Sequence, residues 1–191
     1  MLALTSLRVY FNLPGFSGSN PIANTMTAQC FLVMGVCGSG KSEIGERLAA
    51  QLGCRFIEGD DFHPQANLDK MRAGTPLDDD DRRGWLASLA GELAAAAQGA
   101  GAVLACSALK RSYRDQLRQG APDLRLVYLQ AAPAQVIARM QARQGHFMPV
   151  ELVDSQFAAL EPPQVDEHAL VCPVEASPEY IVDTILAAWA D

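Results

Sequence analysis

Short apolar runs recur along this chain and alternate with stretches in which apolar residues return every three or four positions. The runs are Gln29–Met34, Arg55–Glu58, Ala102–Cys106, Arg125–Gln130 and Ala169–Val174. Each is bounded by polar or turn-forming residues, and each predicts a strand. Glu43–Gly53 sets Ile44, Leu48 and Leu52 on one helical face, and Gly53 suits a C-cap. Gly84–Ala97 is an alanine-rich helical stretch broken by Gly99 and Gly101. Further helices are expected over Arg111–Gln119, from Pro133 to about Arg143, and over Glu179–Ala190. Strands separated by helices specify βαβ units, hence an α/β fold with five parallel strands.

In such sheets ligands sit beyond the carboxyl ends of the strands. The segment after the first strand reads Gly35-Val36-Cys37-Gly38-Ser39-Gly40-Lys41-Ser42. It fits the phosphate-loop pattern at every fixed position and stands between a strand and a helix, as the motif requires. The glycines let backbone N–H groups turn inward around phosphate oxygens. Lys41 is placed to reach the β- and γ-phosphates, Ser42 can offer its hydroxyl to Mg²⁺, and the helix N-terminus adds positive potential. All eight residues are therefore candidate ATP contacts. Lys41 and the helix terminus are expected to lower the pKa of Cys37.

Glu58-Gly59-Asp60-Asp61-Phe62-His63-Pro64 follows the second strand. Carboxylates there can hold a metal ion or accept the proton of an attacking hydroxyl. If the strand continues, Glu58 and Asp60 point the same way. Asp60 is the expected base and His63 an expected substrate contact. The run Asp78–Asp81 is expected to cap a helix starting near Arg82. Arg139 and Arg143 stand one helical turn apart before Gly145, which suits a lid closing over phosphates.

Composition narrows the classes. The net charge of -7 argues against a nucleic-acid or anionic-membrane binder. No apolar run is long enough to span a bilayer. The five cysteines include no C-x-x-C pair, consistent with reduced thiols in a cytoplasm, and the three histidines lack metal-ligand spacing. Lysine is confined to Lys41, Lys70 and Lys110. Residues 1–28 hold no acid and one base, Arg8, and read as a disordered extension, with Met26 a candidate start. Residues 29–191 read as one domain.

Several segments together resemble the gluconokinase family of the thermoresistant type. They are the loop from Met34 to Ser42, Gly59-Asp-Asp-Phe-His-Pro64, Lys70-Met71, Gly74–Arg82 with Trp85-Leu86, Cys106-Ser-Ala-Leu-Lys110 with Tyr113-Arg114, and Gly145-His-Phe147. The resemblance implies a phosphate-loop NTPase fold of three α/β/α layers, like the nucleoside monophosphate kinases, with a mobile lid around residues 140–162. It implies transfer of the ATP γ-phosphoryl group to the 6-hydroxyl of D-gluconate, with Mg²⁺, in a homodimer. It places Asp60, His63, Lys70, Arg72, Ser107, Lys110, Arg111 and His146 at the substrate, and Lys41, Asp60, Arg139 and Arg143 in catalysis. The third strand ends without the aspartate that many phosphate-loop proteins carry there. A metal must then rely on Ser42, waters and an acid elsewhere, Glu58 or Asp60.

Without the resemblance the residues reach a small-molecule kinase. Asp60, His63, Lys70, Arg72 and Lys110 would serve shikimate or a nucleotide as well as a sugar acid. A GTP-dependent switch is disfavoured: Asp81–Gly84 matches D-x-x-G, but no N-K-x-D sequence occurs.

Overall fold

The computed structural model describes residues 28–142 and 150–190. Five strands, β1 (Cys30–Met34), β2 (Arg55–Glu58), β3 (Ala102–Ala105), β4 (Arg125–Gln130) and β5 (Leu170–Pro173), form one sheet. Its order is β2-β3-β1-β4-β5, and every pairing is parallel. Parallel strands carry crossover helices on both faces, so their central strands are apolar on both sides. Accordingly β1 is buried at every position.

Alternation along β1 divides the core. Cys30, Leu32 and Met34 pack with Leu86, Leu89 and Leu93 of α3 (Asp79–Ala97) and Leu117 of α4 (Arg111–Arg118). Phe31 and Val33 pack with Ile44 and Leu48 of α1 (Lys41–Leu52) and Ile181 and Ile185 of α7 (Pro178–Ala188). These are the three expected layers. A third cluster joins Val36, Leu109, Val136 and Val153, tying α5 (Pro133–Ala142) and α6 (Val150–Ala159) to the loops after β1 and β3.

Gly53 caps α1 in the left-handed region, as the sequence predicts. Three expectations change. The chain does not continue as strand after Glu58: it closes into a 3₁₀ turn, Gly59–Phe62, where a Cβ on Gly59 would meet the Ala105 carbonyl oxygen at 2.6 Å. Helix α3 begins at Asp79 rather than near Arg82. Asp78 is its N-cap, and Asp81 reciprocates in a capping box. Helix α2 (Gln65–Arg72), not anticipated, buries only Asn67, so it carries no apolar stripe to signal it. No described helix is long and apolar enough to cross a membrane.

One buried ion pair organises the loop after β3. Arg114 of α4 donates through Nε and Nη2 to Glu167 at 2.6 and 2.7 Å, and both side chains are 1% exposed. Its Nη1 donates to the carbonyls of Ala108 and Leu109, each at 3.1 Å. Ala108 sits at φ 43°, a conformation that costs a non-glycine residue about 1 kcal/mol or more and persists only when surrounded by restraints. Burial pushes the Glu167 carboxyl up, but the bonds from Arg114 and the Gln164 N–H outweigh it and bring the pKa down to about 2. A pKa below the ordinary 4.5 means that folding gains from this group above pH 4.5 and loses that gain as pH falls towards 2. Glu167→Gln leaves the Arg114 charge uncompensated and is expected to cost about 3–5 kcal/mol at pH 7. Urea denaturation at pH 7 and at pH 3 measures both, and the difference between wild type and variant should narrow at the lower pH.

Candidate active site

The loop after β1 is shaped by steric necessity. Gly35 has φ 147°, and a Cβ there would meet the Leu129 carbonyl oxygen at 2.8 Å and Ser39 Oγ at 2.9 Å. Gly40, at φ 97°, is the N-cap of α1 and offers no side-chain cap. The first N–H groups of that helix are thus left for a ligand. Ser39 is buried, and its hydroxyl has no partner among the described residues. Gly35 donates its N–H to the Ser107 carbonyl at 3.4 Å, and Cys37 donates its N–H to Gln156 Oε1 at 2.7 Å. The loop is therefore held from both β3 and α6. Lys41 Nζ donates to the Val36 carbonyl at 3.0 Å, which lays the ammonium across the loop. A glycine cradle, an uncapped helix start, an orphaned hydroxyl and a lysine fit a polyphosphate.

Two cavities flank the loop. One, of ≈ 290 Å³, is lined by Gly38, Gly40, Lys41 and Ser42 on one side and by Glu58, Asp60, His63, Arg82, Trp85 and Ser107 on the other. The second, of ≈ 230 Å³, lies against Ser39, Gly40, Arg139, Val174, Ala176 and Ile181. Arg139 spans from α5 to both sides of this second cavity, donating to the carbonyls of Ser39 (3.2 Å) and Val174.

On the far wall of the first cavity, Asp60 is exposed on the 3₁₀ turn and His63 follows at its end. Glu58 and Asp60 share the cavity although the strand ends between them, because the turn swings Asp60 back over the sheet edge. The imidazole of His63 stacks on Trp85 with ring centres 4.1 Å apart and planes 17° apart. Trp85 Nε1 is anchored by the Gly59 carbonyl at 2.7 Å. Burial holds the His63 pKa below its ordinary value, against the pull of Asp60.

The expected cations are distributed differently. Lys70 donates to both oxygens of Asp81 (2.6 and 2.8 Å), and Lys110 to both oxygens of Asp79 (2.7 and 2.9 Å). Arg111 pairs with Asp166, and Arg72 is an exposed residue beside Asp69. None of these four lines the first cavity. Arg82 does, and sequence reasoning passed over it. Its guanidinium donates to the carbonyls of Leu77 and Asp78 and lies 5.7 Å from the Tyr113 ring centre. Among the described residues it forms no ion pair. The available signal is a base closing a run of four acids, a run whose helix-capping role hides it. Arg143 and His146 lie outside the described residues.

Cys37 also departs from expectation. Burial pushes its thiol up, and Lys41 only partly opposes this. The thiol lies 3.9 Å from Met140 Sδ, in a residue that lines the first cavity. Cys106, where the metal-binding aspartate would stand, is fully buried with its thiol pushed up to about 12 by burial. Among the described residues, no group of three or more His, Cys, Asp or Glu could hold a metal by itself. Ser42 and Glu58 both line the cavity, and a hydroxyl with a carboxylate fits an ion that takes its remaining ligands from phosphate and water.

A phosphate loop after the central strand of a β2-β3-β1-β4-β5 sheet, facing an acid and an imidazole across a small cavity, defines a phosphate-loop kinase of small molecules. A family model described as an AAA domain matches residues 31–163. A thermosensitive gluconokinase of Escherichia coli strain K12 is 47% identical over 147 residues, 76% of this chain and 79% of that one. A gluconokinase of Gluconobacter oxydans strain 621H is 44% identical over 156 residues, 81% and 88% of the two. The crystal structure of a gluconokinase from Sinorhizobium meliloti 1021 superposes with a TM-score of 0.79 at 44% identity, covering 86% of this chain and 93% of that one. The chain belongs to the gluconokinase family.

Proposed function

We propose that this protein transfers the γ-phosphoryl group of ATP to the 6-hydroxyl of D-gluconate, giving 6-phospho-D-gluconate and ADP. The observation that carries the reading is the first cavity, where the phosphate loop meets Asp60, His63 and Arg82, a guanidinium with no ion pair among the described residues. Gly35 to Ser42 wrap the phosphates, and the second cavity beside Arg139 accommodates the nucleoside. The 6-hydroxyl oxygen attacks the γ-phosphorus while its proton passes to Asp60. The bond from the γ-phosphorus to the bridging oxygen breaks, and its electron pair leaves with ADP. Lys41 neutralises charge on the transferring group. Ser42 and Glu58 would hold Mg²⁺, which screens charge on the phosphates when bound. Arg139, with Arg143, would close the site as a lid, and His146 would contact the substrate. Reduced cysteines support a cytoplasmic setting, and the family resemblance supports a homodimer.

ATP consumption measured with gluconate, shikimate and nucleoside monophosphates tests the reading: gluconate should be preferred, and preference for another acceptor would overturn it. Arg82 is assigned to the gluconate carboxylate because Lys70, Arg72, Lys110 and Arg111 are directed elsewhere. Loss of a charge-assisted hydrogen bond costs about 1.5–3 kcal/mol, so Arg82→Gln should raise KM for gluconate about 10- to 100-fold and leave KM for ATP within a few-fold. An unchanged KM for gluconate would remove Arg82 from the substrate.

A further inference from the structure

Asn67 is one of few buried polar side chains among the described residues, 3% exposed on a helix that buries nothing else. Its Nδ2 lies 2.8 Å from the Asp81 carbonyl oxygen and 3.3 Å from His63 Nδ1. A peptide oxygen can only accept, so the amide must turn its NH₂ towards Asp81. The same nitrogen has a second hydrogen, and that hydrogen meets His63 Nδ1. The ring nitrogen must then present its lone pair, which leaves the ring proton on Nε2. Trp85 fixes the plane of the ring by stacking, and the Gly59 carbonyl fixes Trp85. Nε2 is 3.9 Å from Oδ1 of Asp60, which lines the same cavity as His63, and is beyond direct hydrogen-bond reach.

We propose that Asn67 is a positioning residue that sets His63 as the neutral, Nε2-protonated tautomer, making His63 a fixed hydrogen-bond donor to the acceptor substrate and not a base. Both ring nitrogens are committed: Nδ1 accepts from Asn67, and Nε2 already holds a proton. The groups facing the ring from neighbouring elements are Asp60 from the 3₁₀ turn, Asn67 from α2, and Trp85 and Arg82 from α3. Asp60 favours a cationic ring and Arg82 opposes it. A proton on Nδ1 would face the Asn67 N–H, so the amide opposes it too. The proton of the attacking hydroxyl is thereby left to Asp60. With Asp60 accepting and His63 donating, one substrate hydroxyl can be gripped at both its hydrogen and its oxygen.

The role of His63 towards substrate rests on the gluconate reading; its tautomer does not. The test therefore has two arms. In the resting full-length protein with ¹⁵N-labelled histidine, two-bond ¹H–¹⁵N spectra at pH 7.5 should show His63 with the Nε2–H pattern, assigned by its loss in His63→Gln. An Nδ1–H or imidazolium pattern overturns the proposal. Asn67→Asp should move the His63 proton onto Nδ1, and an unmoved spectrum in a folded variant removes Asn67 from the role. In the kinetic arm, His63→Gln keeps an amide N–H near the place of Nε2 but cannot act as a base. It should retain kcat/KM for gluconate within about fivefold, whereas His63→Ala should lose about 30-fold, the scale of one good hydrogen bond to a polar substrate. Equal losses in both variants overturn the donor role. If the wild-type protein ignores gluconate, the acceptor assignment fails while the spectrum still decides the tautomer.

Discussion

Lys41→Ala is expected to lower kcat by about three orders of magnitude while leaving the fold intact. Phosphoryl transfer asks the protein for positioning and charge stabilisation more than for covalent chemistry. Removing one preorganised donor from such a site typically costs about 10²–10³ in rate, and a cation aimed at the transferring group supplies more. Here the ammonium is already held over the loop by the Val36 carbonyl at 3.0 Å, so little reorganisation precedes reaction. Among the described residues the side chain makes no other hydrogen bond, and Lys41 is half-buried, so its loss should barely move the melting temperature. Coupled measurement of ADP release with gluconate, beside a thermal melt, separates the two effects. Activity within tenfold of wild type would defeat the proposed role.

Asp60→Asn should lower kcat by a similar amount, about 10²–10⁴-fold, the usual range for general acid–base catalysis. Asparagine preserves shape and hydrogen bonding but cannot take the proton of the 6-hydroxyl. Because Asp60 is exposed on its turn and lies across the cavity from Ser42, ATP affinity should change only a few-fold. Titration of the variant with ATP and Mg²⁺ makes the distinction. If ATP binding collapses, Asp60 acts through the metal ion and not on the hydroxyl. If His63→Ala also proved as damaging as Asp60→Asn, the division between acceptor and donor would be wrong.

Much of the architecture was readable before any coordinates. Strand β4 coincides with its predicted span because Leu126–Leu129 is buried throughout, as a parallel strand covered on both faces requires; β2, at the sheet edge with Arg55 exposed, coincides on the strength of Phe56 and Ile57 alone. Helix α1 was equally plain, since Ile44 and Leu48 meet one core cluster and Gly53 ends it. Helix α2 was not, because Asn67 is its only buried residue and a hydrophilic stretch gives periodicity nothing to act on. Helix α6 fell inside the segment assigned to a lid; Val153 anchors it in the third cluster and Gln156 reaches the phosphate loop.

The site divides along the same line. The chemistry of the phosphate loop is local: contiguous residues, a required strand before and a required helix after, so Gly35 to Ser42 could be assigned from order alone. Asp60 and His63 could be named because they follow a strand end, although the turn that brings them to the cavity is not the extension expected. The cations were a different matter. Lys70 and Lys110 looked available in sequence, but Asp81 and Asp79, 11 and 31 residues away, take them. Arg82 stands beside those same acids and, with Lys41 of the loop, is a base that lines the cavity.

By itself, then, the sequence determined the fold class, the nucleotide's phosphate grip and the family. Each of these rests on contiguous residues whose meaning survives without knowing what packs against them. The tertiary structure alone decided which described charges pair within the fold, which line the cavity, and that burial pushes the Cys37 thiol up, and its contacts carry the proposed tautomer of His63. Ion pairing, desolvation and tautomer choice depend on neighbours brought together by folding, and no spacing along the chain encodes them.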